Sequence, residues 1–159
     1  MAEIKQRSTK LGQFGGFTPF GNLAILAFGM ATNATGIVKN SDATAAAAIS
    51  DVIDLGPLEE GLRLDDVSIF VQDAFGAGVK ADLGFKYADG VNLTGDRAQD
   101  AAYFGAGFDL ATVGRLRATG SKLITLPKPA RLILTVKGAA IAEAGKLAIT
   151  VQGELVGPQ

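Results

Sequence analysis

The chain has no cysteine, no histidine and no tryptophan, and only 2 Met, 2 Tyr and 5 Pro. Without thiol or imidazole there can be no disulfide, no thiolate nucleophile, no zinc finger, no imidazole base and no facial-triad metal site. The lack of cysteine fits a reducing cytosol as the place of synthesis. Charge of one sign is also missing, with 15 basic residues against 16 acidic and a pI near 5.4. No overall field draws in nucleic acid or an anionic membrane. Long apolar runs are absent too: Leu23 to Ala31 is nine residues, well short of the roughly 20 that a spanning helix needs. Lys5, Arg7 and Lys10 ahead of that run imitate a signal peptide, but Pro19 and several glycines interrupt the lead-in and no small-x-small cleavage site follows. The expectation is no cleaved leader.

What is present is glycine, 21 residues of it, within a 48% hydrophobic chain of mean hydropathy +0.27. At 159 residues one domain is expected, built from short strands punctuated by turns. The clearest stretch is Ile49 to Tyr87. In Asp65 to Asp73, Val67, Ile69 and Val71 point one way, with Asp66, Ser68, Phe70 and Gln72 on the other face. In Val79 to Tyr87, Val79, Ala81, Leu83, Phe85 and Tyr87 alternate with Lys80, Asp82, Gly84 and Lys86. A side-chain period of two marks half-buried strands. The glycines of Phe75-Gly76-Ala77-Gly78 predict a hairpin between them. Upstream, Val52 to Leu55 is expected to end at Gly56-Pro57. Downstream, strands are expected at Tyr103 to Leu110, Val113 to Ala118, Leu123 to Leu126, Arg131 to Lys137 and Leu147 to Leu155, with a solvated, Asp-rich loop from Ala88 to Ala102. About eight strands with frequent turn signals read as an all-β protein, a single antiparallel sandwich or a barrel. A membrane barrel is disfavoured, because aromatic girdles are missing and several strands are too short.

Residues 1–45 read as an N-terminal arm and spacer able to contribute one strand at 23–30, and residues 46–159 as the sandwich. The start is basic, with Lys5, Arg7, Lys10 and Lys39 against Glu3, and Phe14, Phe17, Phe20 and Phe28 sit there among glycines. Two readings stay open for it. It folds back on its own domain, or it is an arm whose rings anchor on a partner, since aromatic side chains offer much contact area for little ordering entropy.

Catalytic motifs are weak. Gly76-Ala77-Gly78-Val79-Lys80-Ala81 matches a loose dinucleotide fingerprint, but a strand follows where that motif needs a helix. The carboxylate pairs Asp51 with Asp54, Glu59 with Glu60, Asp65 with Asp66 and Asp96 with Asp100 show no spacing that selects an acid and a base across a cleft. Arg115 and Arg117 share one side of a strand and suit an acidic partner or a plain polar face.

The stretch VIDLGPLEEGLRLDDVSIFVQDAF, followed by ADLGFKY and later by Ala101 to Phe104, resembles the small head proteins of tailed bacteriophages known as capsid decoration or cement proteins. Its marks are a strand ending in an LG-like turn, a Leu-x-x-Gly reversal, and an Asp-Leu-Gly strand before an Asp-rich loop, over roughly residues 50 to 110. The Phe-rich start has no counterpart in that pattern. The resemblance implies a jelly-roll sandwich that binds the outside of an assembled capsid, often as a dimer or trimer; joined to the N-terminal arm read from the residues, it leads to the expectation of a protein that staples neighbouring subunits of the major capsid protein. It implies no catalysis, cofactor, metal, nucleic acid or membrane, with synthesis in the host cytoplasm and a place on the virion exterior. Partner-binding residues are then expected at Phe14, Phe17 and Phe20 as anchors, with Lys5, Arg7 and Lys10 pairing with acidic capsid residues. The alternative is a carbohydrate-binding or host-adhesion sandwich, for which Tyr87 and Tyr103 are the aromatic platforms on offer.

Overall fold

A computed structural model describes residues 2–5 and 23–157. It is all-β, with ten strands and one 3-10 turn at Gly95–Arg97. The strands are β1 (Glu3–Lys5), β2 (Leu23–Ala31), β3 (Val52–Leu58), β4 (Leu62–Asp73), β5 (Val79–Tyr87), β6 (Asp100–Asp109), β7 (Gly114–Arg117), β8 (Ile124–Thr125), β9 (Ala130–Gly138) and β10 (Lys146–Leu155). One sheet runs β1-β3-β9-β5-β6. The other runs β2-β10-β4-β7, with β8 beside the start of β4. Setting aside the short β1 and β8, the eight remaining strands are ordered as in a jelly roll, two interlocked Greek keys.

The core lies between the sheets and is filled from the alternating faces read in the sequence. Val67, Ile69 and Val71 of β4 meet Val79, Ala81, Leu83, Phe85 and Tyr87 of β5, Leu132, Leu134 and Val136 of β9, and Leu147, Ile149 and Val151 of β10, all 2% exposed or less. Phe85 stands edge-on to Tyr87 and to Tyr103, with centroids 5.7 and 5.4 Å away, and Tyr103 is edge-on to Phe104 at 4.9 Å. Edge-to-face pairing of this kind adds to the area buried.

Two expectations are corrected. Residues 74–78 do not form a hairpin: β4 pairs with β10, β7 and β8, while β5 pairs with β9 and β6 in the opposite sheet. The chain turns a corner between layers instead. Alternation records that a strand has one apolar face and is silent on which sheet holds it, because both inner faces of a sandwich carry the same pattern. Phe75 marks the difference, since it is fully buried where a hairpin tip would face water. It packs so closely on Gly145 that a Cβ there would stand 2.4 Å from its ring. Nor does β3 stop at Gly56-Pro57. It continues to Leu58 across a register shift between Asp54 and Gly56, and Pro57 lies beyond the stretch that pairs with β1. A bulge at an edge tolerates the missing N–H donor.

The candidate strand at 23–30 is β2, which completes the second sheet along the whole of β10. Residues 2–5 also belong to the folded body, as β1 lies parallel to β3.

Candidate partner-binding surface

The outer faces of the two sheets differ in charge pairing. On the β1-β3-β9-β5-β6 sheet, Arg131 on β9 holds Asp54 on β3 at 2.9 Å, Lys137 reaches Asp82 at 3.6 Å, and Lys86 on β5 pairs with Glu3 on β1. The Lys86 ammonium, by hydrogen bond first, holds the Glu3 carboxyl below its ordinary range. Ile133 and Thr135 lie on this face, and yet they are only 4% and 6% exposed. Its charges are turned toward one another.

The other outer face is different. Along β2 the solvent side reads Leu23, Ile25 and Ala27, with Leu23 65% and Ile25 58% exposed. Beside them on β10 stand Glu154, Gln152 and Thr150. Across β4 the face ends on β7, where the Arg115 guanidinium lies 4.8 Å from the centroid of Phe70 and Arg117 pairs with Asp66. Ser68, directly opposite Arg117, is fully buried, and among the described residues its hydroxyl finds no hydrogen-bond partner. One flank of this face is apolar and uncharged, and the other carries two arginines. Isolated exposed leucines are ordinary, but an apolar stripe along one strand is a candidate contact surface.

Of the six residues expected to bind a partner, Lys5 is exposed on β1, where its backbone N–H donates to Asp42 Oδ1 at 2.8 Å. Arg7, Lys10, Phe14, Phe17 and Phe20 lie outside the described residues. The segment that carries them leads directly into Leu23 and Ile25. Sequence reading had marked that strand but not its exposed side, since a run of uninterrupted apolar residues gives no polar face to read.

Two solved structures share this architecture. A chain in the capsid of Ralstonia phage GP4 matches 99% of this chain and 100% of its own length, with a TM-score of 0.65 and 16% identity. A chain of the cyanophage Pam1 capsid asymmetric unit matches 94% of this chain and 97% of its own, with a TM-score of 0.57 and 16% identity. The fold is one found in phage capsids. No protein-family model and no curated protein matches the sequence.

On this capsid-type fold the two tyrosines are not platforms. Tyr87 and Tyr103 are 1% and 6% exposed, inside the aromatic core. The Tyr103 hydroxyl lies 2.9 Å from the Lys122 carbonyl and 3.1 Å from that of Leu64, and it accepts the Ile124 N–H at 3.0 Å. It lines a cavity of ≈ 320 Å³ together with Asp96, Asp100 and Lys122. Burial pushes its pKa from the ordinary 10.0 up to about 12, against the Ile124 N–H, which lowers it. The unfolded chain releases this proton near its ordinary value and the folded chain about two units later. Stability is therefore complete below pH 10 and lost as pH rises from about 10 to about 12, by roughly 2–3 kcal/mol. Urea unfolding at about pH 9 and about pH 11.5 should show that fall, and Tyr103→Phe should flatten it. An unchanged slope in the variant would assign the alkaline loss elsewhere.

Several of the acidic side chains make structural bonds. Asp51 accepts the N–H groups of Ala2 and Ala48, Asp54 holds Arg131, Asp65 holds Arg63, and Asp89 holds Lys128. Among the described residues no three acidic groups converge as a metal site would require. Gly76 to Ala81 is the corner and the start of β5, with no helix after it.

Proposed function

We propose that this chain is a structural virion protein that binds the outer surface of an assembled phage capsid and staples neighbouring major capsid subunits. The observation that carries the reading is the match over nearly the whole length to chains of two phage capsids. It is supported by an outer face with exposed Leu23 and Ile25. The uncharged flank of β2 lies against the shell, and the aromatic, basic segment before it reaches onto the same surface or a sister subunit. Phe14, Phe17 and Phe20 serve as anchors and Lys5, Arg7 and Lys10 meet acidic capsid side chains.

The mechanism is adhesion. A lattice presents each contact many times, so modest individual affinities add through effective concentration. A protein that binds the shell and not free subunits stabilises the shell by mass action.

The test is co-sedimentation of the full-length protein with empty shells of its cognate capsid protein. Saturable pelleting, absence of binding to unassembled subunits, and a higher thermal midpoint for decorated shells are expected. Protein left in the supernatant at excess shell would end the reading.

A further inference from the structure

β1 is held by a purpose-shaped slot. Ala2 N–H donates to Asp51 Oδ1 at 2.9 Å and Lys5 N–H to Asp42 Oδ1 at 2.8 Å. In return the Val52 N–H donates to the Ala2 carbonyl at 3.2 Å and the Asp42 N–H to the Lys5 carbonyl at 3.1 Å. Ile4 is 5% exposed and joins the main core, and Glu3 is captured by Lys86. Among the described residues, the groups that hydrogen-bond or ion-pair with the strand are Asp42, Asp51 and Val52 and, on β5, Lys86.

The link between β1 and β2 is residues 6–22, seventeen residues, which extended would reach about 60 Å. A domain of this size has a radius of gyration of about 15 Å and is roughly 40 Å across. The tether is therefore long enough to carry β1 past its own body. A three-residue strand arriving from a second copy would make the same hydrogen bonds, the same ion pair and the same apolar contact. What separates the two arrangements is local concentration, which favours exchange where copies are crowded.

We propose that the β3 edge is a strand-exchange site that takes residues 2–5 of a second copy of this chain. Exchange would hold neighbouring copies together non-covalently, each strand staying attached to its own body through its tether, and it is a property of this chain alone. Its test uses no shells, so its failure and the failure of capsid binding are separate results.

The chain has no cysteine of its own, and Glu3 and Val52 are aligned partners across the two strands. Adjacent strands stand at a spacing a disulfide can bridge. Full-length Glu3→Cys and Val52→Cys proteins are mixed in equal amounts at millimolar protein, near the effective concentration of a tethered module, then mildly oxidised and resolved by non-reducing gel and mass spectrometry. Exchange predicts that mixed dimers, linked between positions 3 and 52, make up nearly all of the disulfide-linked dimer, in place of the half that random pairing would give. Adding Ile4→Asp to the Glu3→Cys chain should return the mixture to that share. The double variant Glu3→Cys/Val52→Cys should close within one chain when dilute and link chains when concentrated. Statistical dimers from the mixed singles, a double variant closed within one chain at every concentration, or one that never forms the bond would each overturn the proposal.

Discussion

Phe85→Ala should cost the folded protein about 3–5 kcal/mol, the range for deleting a fully buried phenylalanine. The ring is 1% exposed near the C-terminal end of β5 and touches Tyr87 and Tyr103 edge-on, and through Tyr103 it is linked to Phe104. Its removal leaves a cavity between two sheets whose other walls belong to hydrogen-bonded ladders and cannot close in. Natural domains of this size are stable by only about 5–15 kcal/mol, so the variant should sit near the threshold of folding. Urea denaturation gives the number, with a lower midpoint and an unchanged slope as the expected pattern. A loss below about 1 kcal/mol would mean that the aromatic row is not a packed centre.

Replacing Phe14, Phe17 and Phe20 together with alanine should lower affinity for shells by at least about 100-fold while leaving the thermal midpoint of the free protein in place. Aromatic anchors at interfaces commonly contribute about 2 kcal/mol or more each when truncated, and none of the three belongs to the described core. A sedimentation titration against shells, read beside a thermal scan, separates the two effects. Full occupancy by the variant would remove the rings from the mechanism and leave β2 and the arginine flank as the contact. A fallen midpoint would instead make the segment part of the domain's own packing.

The β1 slot changes how a deletion at the start of the chain should be read. Removing Met1 to Gly21 would strip the shell-binding candidates and, with them, the strand that covers β3 and buries Ile4. The triple phenylalanine variant keeps β1 in place, which is why it is the cleaner probe of capsid binding.

Much of the fold is legible in the residues. The alternation in β4, β5, β9 and β10 identified each core face correctly, as Val67, Leu83, Leu134 and Ile149 show at 1% exposure or less. The absence of histidine and cysteine removes thiolate nucleophiles, imidazole bases and facial-triad metal sites, because those side chains supply the groups that such chemistry needs. These are local properties. A strand's inner face is written in every second residue, and a missing functional group is missing in any conformation.

The partner of each strand had to come from the tertiary structure. Phe75-Gly76-Ala77-Gly78 has the composition of a hairpin turn and acts as a corner between sheets. Which of the two it becomes depends on pairings with β9 and β10, more than 50 residues further along the chain. The burial of Tyr103, the exposure of Leu23 and Ile25, and the capture of residues 2–5 by Asp42 and Asp51 are likewise products of long-range pairing. Hydrophobic pattern fixes which side of a strand avoids water, but only the assembled layers decide what stands opposite it and which apolar residues are left outside.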